Sequence, residues 1–104
     1  MHAAQQAVAD FVQRHGLETD VEHRLLDLVS EVGELAKEVL KGTQYGRVPA
    51  ALAPNWQTEL GDVLFSLFCL GNTTNVDLES ALREALEKYE QRLAVYGNAD
   101  SSRT

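Results

Sequence analysis

Two short words in this sequence carry residues able to do chemistry, Glu31-Val-Gly-Glu34-Leu and Glu59-Leu-Gly-Asp62-Val. In each, two carboxylates are separated by two residues, a spacing that stacks them on one face of an α-helix. Four carboxylates gathered in a poorly solvated place repel one another, so gathering them calls for positive charge in between. A divalent metal ion supplies it. Carboxylate oxygens are hard ligands that suit Mg²⁺ or Mn²⁺, and no His or Cys stands at a spacing that favours zinc.

The plainer alternative for Glu31 and Glu34 is a solvated helix face. Glu59 and Asp62 weigh against it, because they stand in the first turns of an otherwise apolar stretch, where carboxylates are rarely left without a partner. The dipole at a helix N-terminus offers only ~0.3–1 kcal/mol, too little for two buried acids. Salt bridges to Lys37, Lys41, Lys88 or Arg92 are the other structural way to neutralise them, so the metal reading rests on the double motif. Gly33 and Gly61 occupy the same place in the two words, and a glycine inside a helix costs roughly 0.5–1 kcal/mol relative to alanine. The spacing therefore predicts a notch through which two helices approach and bring their acids together.

The elements that must position these acids are helical throughout. Residues 3–15 repeat apolar positions at Ala4, Ala7, Val8, Phe11, Val12 and His15, and Gly16 ends that helix. Thr19 and Glu22 form a capping-box signature that opens a second helix. Its apolar stripe is Leu25, Leu28, Val32, Leu35, Ala36 and Val39, and Gly42 closes it at about Lys41. Asp27, Glu31, Glu34 and Glu38 form an acidic stripe on another face. Gly42 to Ala53 reads as a loop, and Pro54 or Asn55 starts a third helix that is apolar almost all round from Trp56 to Leu70. That helix should be central, buried inside the subunit or between subunits. Gly71 to Asn75 reads as a polar connection. Asp77 then caps a fourth helix that ends at Tyr96 before Gly97. Nothing alternates with period two, so the expectation is an all-α four-helix bundle: one domain over residues 1–97, and a polar, disordered tail over 98–104.

Composition narrows the partners. The chain has 104 residues and a formal charge of −7, which argues against a basic surface for nucleic acid polymers while leaving free nucleotides open. Its most apolar run, Val63 to Leu70, falls far short of the about 20 residues that span a bilayer. A lone cysteine, Cys69, forms no internal disulfide and reads as a core residue, and no signal peptide opens the chain, so the expected location is the cytoplasm. A chain this short gains from burying helix surface in a homodimer or homotetramer.

The two acidic words in this order resemble the paired motif of the MazG-like all-α nucleoside triphosphate pyrophosphohydrolases, a superfamily that includes the dimeric dUTPases. Glu31-Val-Gly-Glu-Leu-Ala-Lys-Glu38, Glu59-Leu-Gly-Asp-Val-Leu-Phe65, Asp77-Leu-Glu-Ser-Ala81 and Lys88-x-x-x-Arg92 carry the likeness, over roughly residues 19–96. The resemblance implies a Mg²⁺-dependent enzyme (Mn²⁺ is the alternative) that splits a nucleoside triphosphate between the α and β phosphates in nucleotide-pool sanitation or turnover. Glu31, Glu34, Glu59 and Asp62 would be the metal ligands, with Glu31 or Glu34 as the general base. Lys88, Arg92, Asn72 and Asp77 would meet the substrate. Lys88 and Arg92 otherwise read as surface cations, and Asp77 as a simple cap. Glu38 is a further ligand or a solvated acid. Trp56, Tyr45 and His15 offer a base-stacking surface or ordinary packing, and His23 is expected to pair with Asp27. Some members carry an acid directly before the first motif glutamate, where this chain has Ser30. That departure favours the rival reading, a non-catalytic dimerisation or regulatory module that keeps the acids for metal-linked stability.

Overall fold

The computed structural model describes residues 1–49 and 51–97, which form four helices: α1 (His2–Arg14), α2 (Val21–Gly42), α3 (Trp56–Thr73) and α4 (Leu78–Tyr96). No strand occurs among the described residues, and the architecture is all-α as the periodicity predicts. The tail at 98–104 lies outside the described residues.

α2 and α3 pair most extensively and run antiparallel. Arg24 shares a cavity with Cys69, whereas Glu31, two turns further along α2, lies beside Glu59 and Asp62. α1 lies along α3, also antiparallel: Gln5 reaches Asn72 near one end, and Phe11 meets Phe65 edge-on at 5.9 Å between ring centroids. α3 is thus the central helix. Its buried residues are Ser66, Phe68, Cys69 and Gly71.

Several boundaries differ from the expectation, each for a local reason. Asp20, not Thr19, caps α2. Its carboxylate accepts from the His23 backbone N–H at 2.8 Å and contacts the His23 ring Nδ1 at 2.6 Å, so His23 pairs with Asp20 rather than Asp27. α3 continues through Gly71 and Asn72 to Thr73, where a polar connection is predicted. The hydroxyls of Thr73 and Thr74 donate back to the carbonyls of Cys69 and Leu70, each at 2.8 Å, which lets polar residues continue the last turn. Gly71 is needed there because a Cβ would meet Leu78 Cγ at 2.9 Å. α4 follows the prediction, with Asp77 accepting from Glu79 and Ser80 N–H groups and Gly97 in the left-handed region at φ 76°.

The turn from α3 into α4 is tied to α1 by one side chain. Gln5, 7% exposed, donates to Asn72 Oδ1 (2.9 Å) and the Val76 carbonyl (2.7 Å), and accepts from Leu78 N–H at 2.9 Å. Asn72 Nδ2 returns a bond to the Gln5 carbonyl at 3.2 Å. A polar residue therefore anchors a helix whose visible pattern is apolar.

The half-buried face of α2 is Arg24, Leu28, Glu31, Leu35 and Glu38, spaced by three and four. The apolar row beside it is left outward: Leu25 is 50% exposed, Leu26 65%, Val29 61% and Val32 48%. Phe68 and Cys69 are the buried hydrophobic residues among those described. The radius of gyration is 16.8 Å, against about 13 Å for a compact domain of this length. One chain leaves its main apolar faces uncovered, and each such Leu or Val gains about 1.5–3 kcal/mol on full burial.

Candidate active site

The antiparallel pairing of α2 and α3 brings the two acidic words to the same level. Glu31, Glu59 and Asp62 each offer a carboxylate oxygen, and the three oxygens lie within 4.8 Å of one another. Glu31 and Glu59 are half-buried and Asp62 is exposed, so the cluster sits at the edge of the helix interface. Ligands about 2.0–2.1 Å from one Mg²⁺ lie at most about 4.2 Å apart, so small side-chain rotations suffice to close the set. Glu34, one turn beyond Glu31, is exposed and outside that set of three.

The electrostatics of Glu59 show how little compensates the cluster. Its pKa is raised, first by desolvation and then by the charges of Asp62, Glu38, Glu31 and Glu34. The neighbouring charges are all carboxylates. Among the described residues no Lys or Arg makes an ion pair with these acids, so the salt-bridge alternative finds no partner there. The one direct help comes from Asn55, at the start of α3, whose Nδ2 donates to Glu59 Oε1 at 3.0 Å. Hard oxygen donors, an uncompensated negative field and a nearly closed three-atom set fit a divalent cation.

Other predicted site residues fall elsewhere. Asn72 has its amide engaged with Gln5, and Asp77 has its carboxylate engaged at the start of α4. Lys88 Nζ lies 5.2 Å from the Tyr89 ring centroid, and Arg92 Cζ 5.8 Å from the same ring. Arg92 is 7% exposed, with Nη1 buried and unpartnered. Of the aromatic candidates, His15 meets Phe11 in a tilted contact at 4.6 Å between ring centroids, Trp56 is half-buried and Tyr45 is 73% exposed. Cys69 is 3% exposed and burial raises its pKa, as suits a core thiol.

The expected notch is absent. A Cβ at Gly33 or Gly61 meets nothing within 4 Å, so these glycines do not set the approach of α2 to α3. The sequence places Asn55 only as a start of the third helix, not as a partner of Glu59, and gives Arg24 no role. Asn55 was legible in principle, standing four residues before Glu59 where helical side chains meet. Arg24 sits seven residues before Glu31, on the same face.

Residues 20–94 match the MazG nucleotide pyrophosphohydrolase domain. The uncharacterized protein YpjD of Bacillus subtilis (strain 168) is 38% identical over 68 residues, which is 62% of this chain and 60% of that relative. The crystal structure of YpjD from Bacillus subtilis superposes with a TM-score of 0.73 at 32% identity, covering 88% of this chain and 94% of that one. A second crystal structure, that of the Bacillus-conserved MazG protein, a nucleotide pyrophosphohydrolase, gives 0.69 at 31% identity, covering 84% and 85%. With its acids, helices and sequence in agreement, the chain belongs to the MazG nucleotide pyrophosphohydrolase family.

Proposed function

We propose that this protein is a Mg²⁺-dependent nucleoside triphosphate pyrophosphohydrolase that converts a (d)NTP to the monophosphate and pyrophosphate in nucleotide-pool sanitation or turnover. The observation that carries the reading is the convergence of Glu31, Glu59 and Asp62 within 4.8 Å, with no basic residue paired to them among those described. These three hold the ion. When bound, it neutralises phosphate charge and acts as a Lewis acid toward the substrate.

Glu34 lies one turn from Glu31 and outside the three, so its carboxylate is free to orient a water and take its proton during attack on the α-phosphorus. The outward apolar rows of α2 and α4 support assembly as a homodimer or homotetramer. In such an assembly the exposed Lys88 of a neighbouring copy is the cation free to meet the phosphates, whereas Arg92 is buried against its own chain.

Pyrophosphate release from a panel of canonical and modified dNTPs tests the reading. Release is expected with Mg²⁺ and is lost in Glu31→Gln and Asp62→Asn. Release that survives both substitutions rejects the site. Mg²⁺-induced thermal stabilisation with no turnover of any nucleotide would instead identify the non-catalytic module.

A further inference from the structure

A cavity of about 360 Å³ opens between the C-terminal half of α1, the α1–α2 connection, the start of α2 and the end of α3. That volume lies in the about 300–1,000 Å³ range of small-molecule sites. Ala9, Val12 and Cys69 give it apolar walls, and Gln13, Glu18 and Arg24 are among its polar groups.

Arg24 is the unusual wall. It is 8% exposed, yet no carboxylate lies within ion-pair distance among the described residues. One terminal nitrogen donates to the Leu17 carbonyl, and its buried Nε has no hydrogen-bond partner. A desolvated guanidinium in this condition is costly unless a ligand supplies acceptors.

The position relates this cavity to the acids. Arg24 precedes Glu31 by seven residues on α2, and Cys69 follows Asp62 by seven on the antiparallel α3. Seven residues rise about 10 Å, comparable with the reach from the α-phosphate of a nucleotide to the far edge of its base. A triphosphate held at Glu31, Glu59 and Asp62 thus has its base within range of the cavity.

Resting on the pyrophosphohydrolase reading, we infer that this cavity takes the nucleobase of the substrate, and that Arg24 is a specificity residue reading an edge with contiguous acceptors. Guanine (O6 and N7) and cytosine (O2 and N3) present such edges. Adenine and thymine interrupt theirs with an N–H donor, which a donor-only guanidinium cannot pair. A phosphate fits the cavity less well than a base, because most of the surface that its lining presents is apolar and Glu18 adds a negative charge at the same wall.

The test compares kcat and KM for dGTP, dCTP, dATP and dTTP in wild type, Arg24→Gln and Arg24→Lys, beside calorimetric binding of the four deoxynucleosides and of tripolyphosphate. The wild type should favour dGTP and dCTP. Arg24→Gln should raise KM for those two about five- to hundredfold while leaving kcat and tripolyphosphate binding within about twofold. Arg24→Lys keeps the charge and should lose the discrimination. Equal losses on all four nucleotides, or weakened tripolyphosphate binding, overturn the assignment. Deoxynucleoside binding to the wild type needs no variant, so a misfolded Arg24→Gln leaves the test intact: absence of a deoxyguanosine or deoxycytidine preference overturns the assignment. Arg24-dependent deoxyguanosine binding without turnover of any triphosphate would keep the cavity and reject the hydrolase reading. Turnover that requires Glu31 but ignores Arg24 would do the reverse.

Discussion

Glu31 of α2 and Glu59 of α3 hold carboxylate oxygens within 4.8 Å of each other across the helix pair, and Asp62 completes the group. Like charges at that separation oppose the pairing that creates them, and burial raises the cost for Glu59. In a chelator, Glu59→Gln should therefore raise the melting temperature, since the amide removes one charge and keeps the shape. Mg²⁺ should stabilise the wild type and stabilise this variant much less. Calorimetry with and without the ion checks both signs, and a variant less stable than wild type in chelator would contradict the repulsion argument.

In the proposed mechanism Glu34 separates holding the ion from moving a proton. It lies outside the three-oxygen set, so Glu34→Gln should leave Mg²⁺ stabilisation largely intact while lowering kcat about 10²–10⁴-fold. Glu31→Gln should abolish both. Mg²⁺ titrations beside pyrophosphate release distinguish the two patterns. Loss of ion binding in Glu34→Gln would make it a ligand instead.

Gln5 ties three elements together with one side chain, and removing it orphans an Asn72 amide oxygen, the Val76 carbonyl and the Leu78 N–H. Each buried group left unsatisfied costs about 1–3 kcal/mol, and water entry reduces the sum. Gln5→Ala should lower unfolding free energy by about 1–3 kcal/mol with helix content preserved. Denaturant titration measures it. Gln5→Leu restores apolar volume without the bonds and should recover little.

The helices and the acidic pairs were legible because both depend on local spacing. The apolar period and the caps located α1 to α4, and Asp77 and Gly97 act at α4 as their types suggest. What the spacing hid was which face turns inward. Of the α2 stripe that reads as core, Leu28 and Leu35 do turn inward, but Leu25 and Val32 lie outward and the half-buried row is completed by Arg24, Glu31 and Glu38. A hydrophobic pattern reports that a face is covered without saying by what. Gln5 and Arg24 were hidden for the converse reason, because a polar residue becomes central only through partners distant in sequence, and no periodicity encodes them.

The glycines give a sharp contrast. A Cβ at Gly42 would stand 2.5 Å from the Ala51 carbonyl oxygen, which is backbone and cannot swing aside, whereas at Gly33 and Gly61 it meets open space. Gly42→Ala should destabilise by about 1–3 kcal/mol despite its better helix propensity. Gly61→Ala should stabilise an isolated chain by about 0.5–1 kcal/mol. If Gly61→Ala instead destabilises or inactivates, another surface of the assembly or the substrate approaches there, which denaturation and turnover measured together would reveal.

The pairing of Asp20 with His23 gives the start of α2 a pH dependence whose sign follows from the two shifts. The Asp20 pKa is lowered, first by the His23 backbone N–H and then by its ring, so its stabilisation is present above the ordinary value of 3.8 and lost as pH falls through the lowered one. The His23 pKa is raised, first by its hydrogen bond to Asp20 and then by that carboxylate's charge, so its contribution is full below the ordinary 6.5 and lost as pH rises through the raised value. Both operate together between those two ordinary values. Amide exchange in the first turn of α2 should therefore be slower at pH 5.5 than at pH 8, after correction for the intrinsic rate. His23→Ala should erase that difference, whereas Asp20→Ala should speed exchange at both values because the backbone cap needs no charged ring. Both side chains are solvent-exposed, so molar salt should shrink the His23 effect and leave the Asp20 cap in place. An exchange rate that ignores pH in the wild type would show that the ring and the carboxylate do not act as a pair in solution.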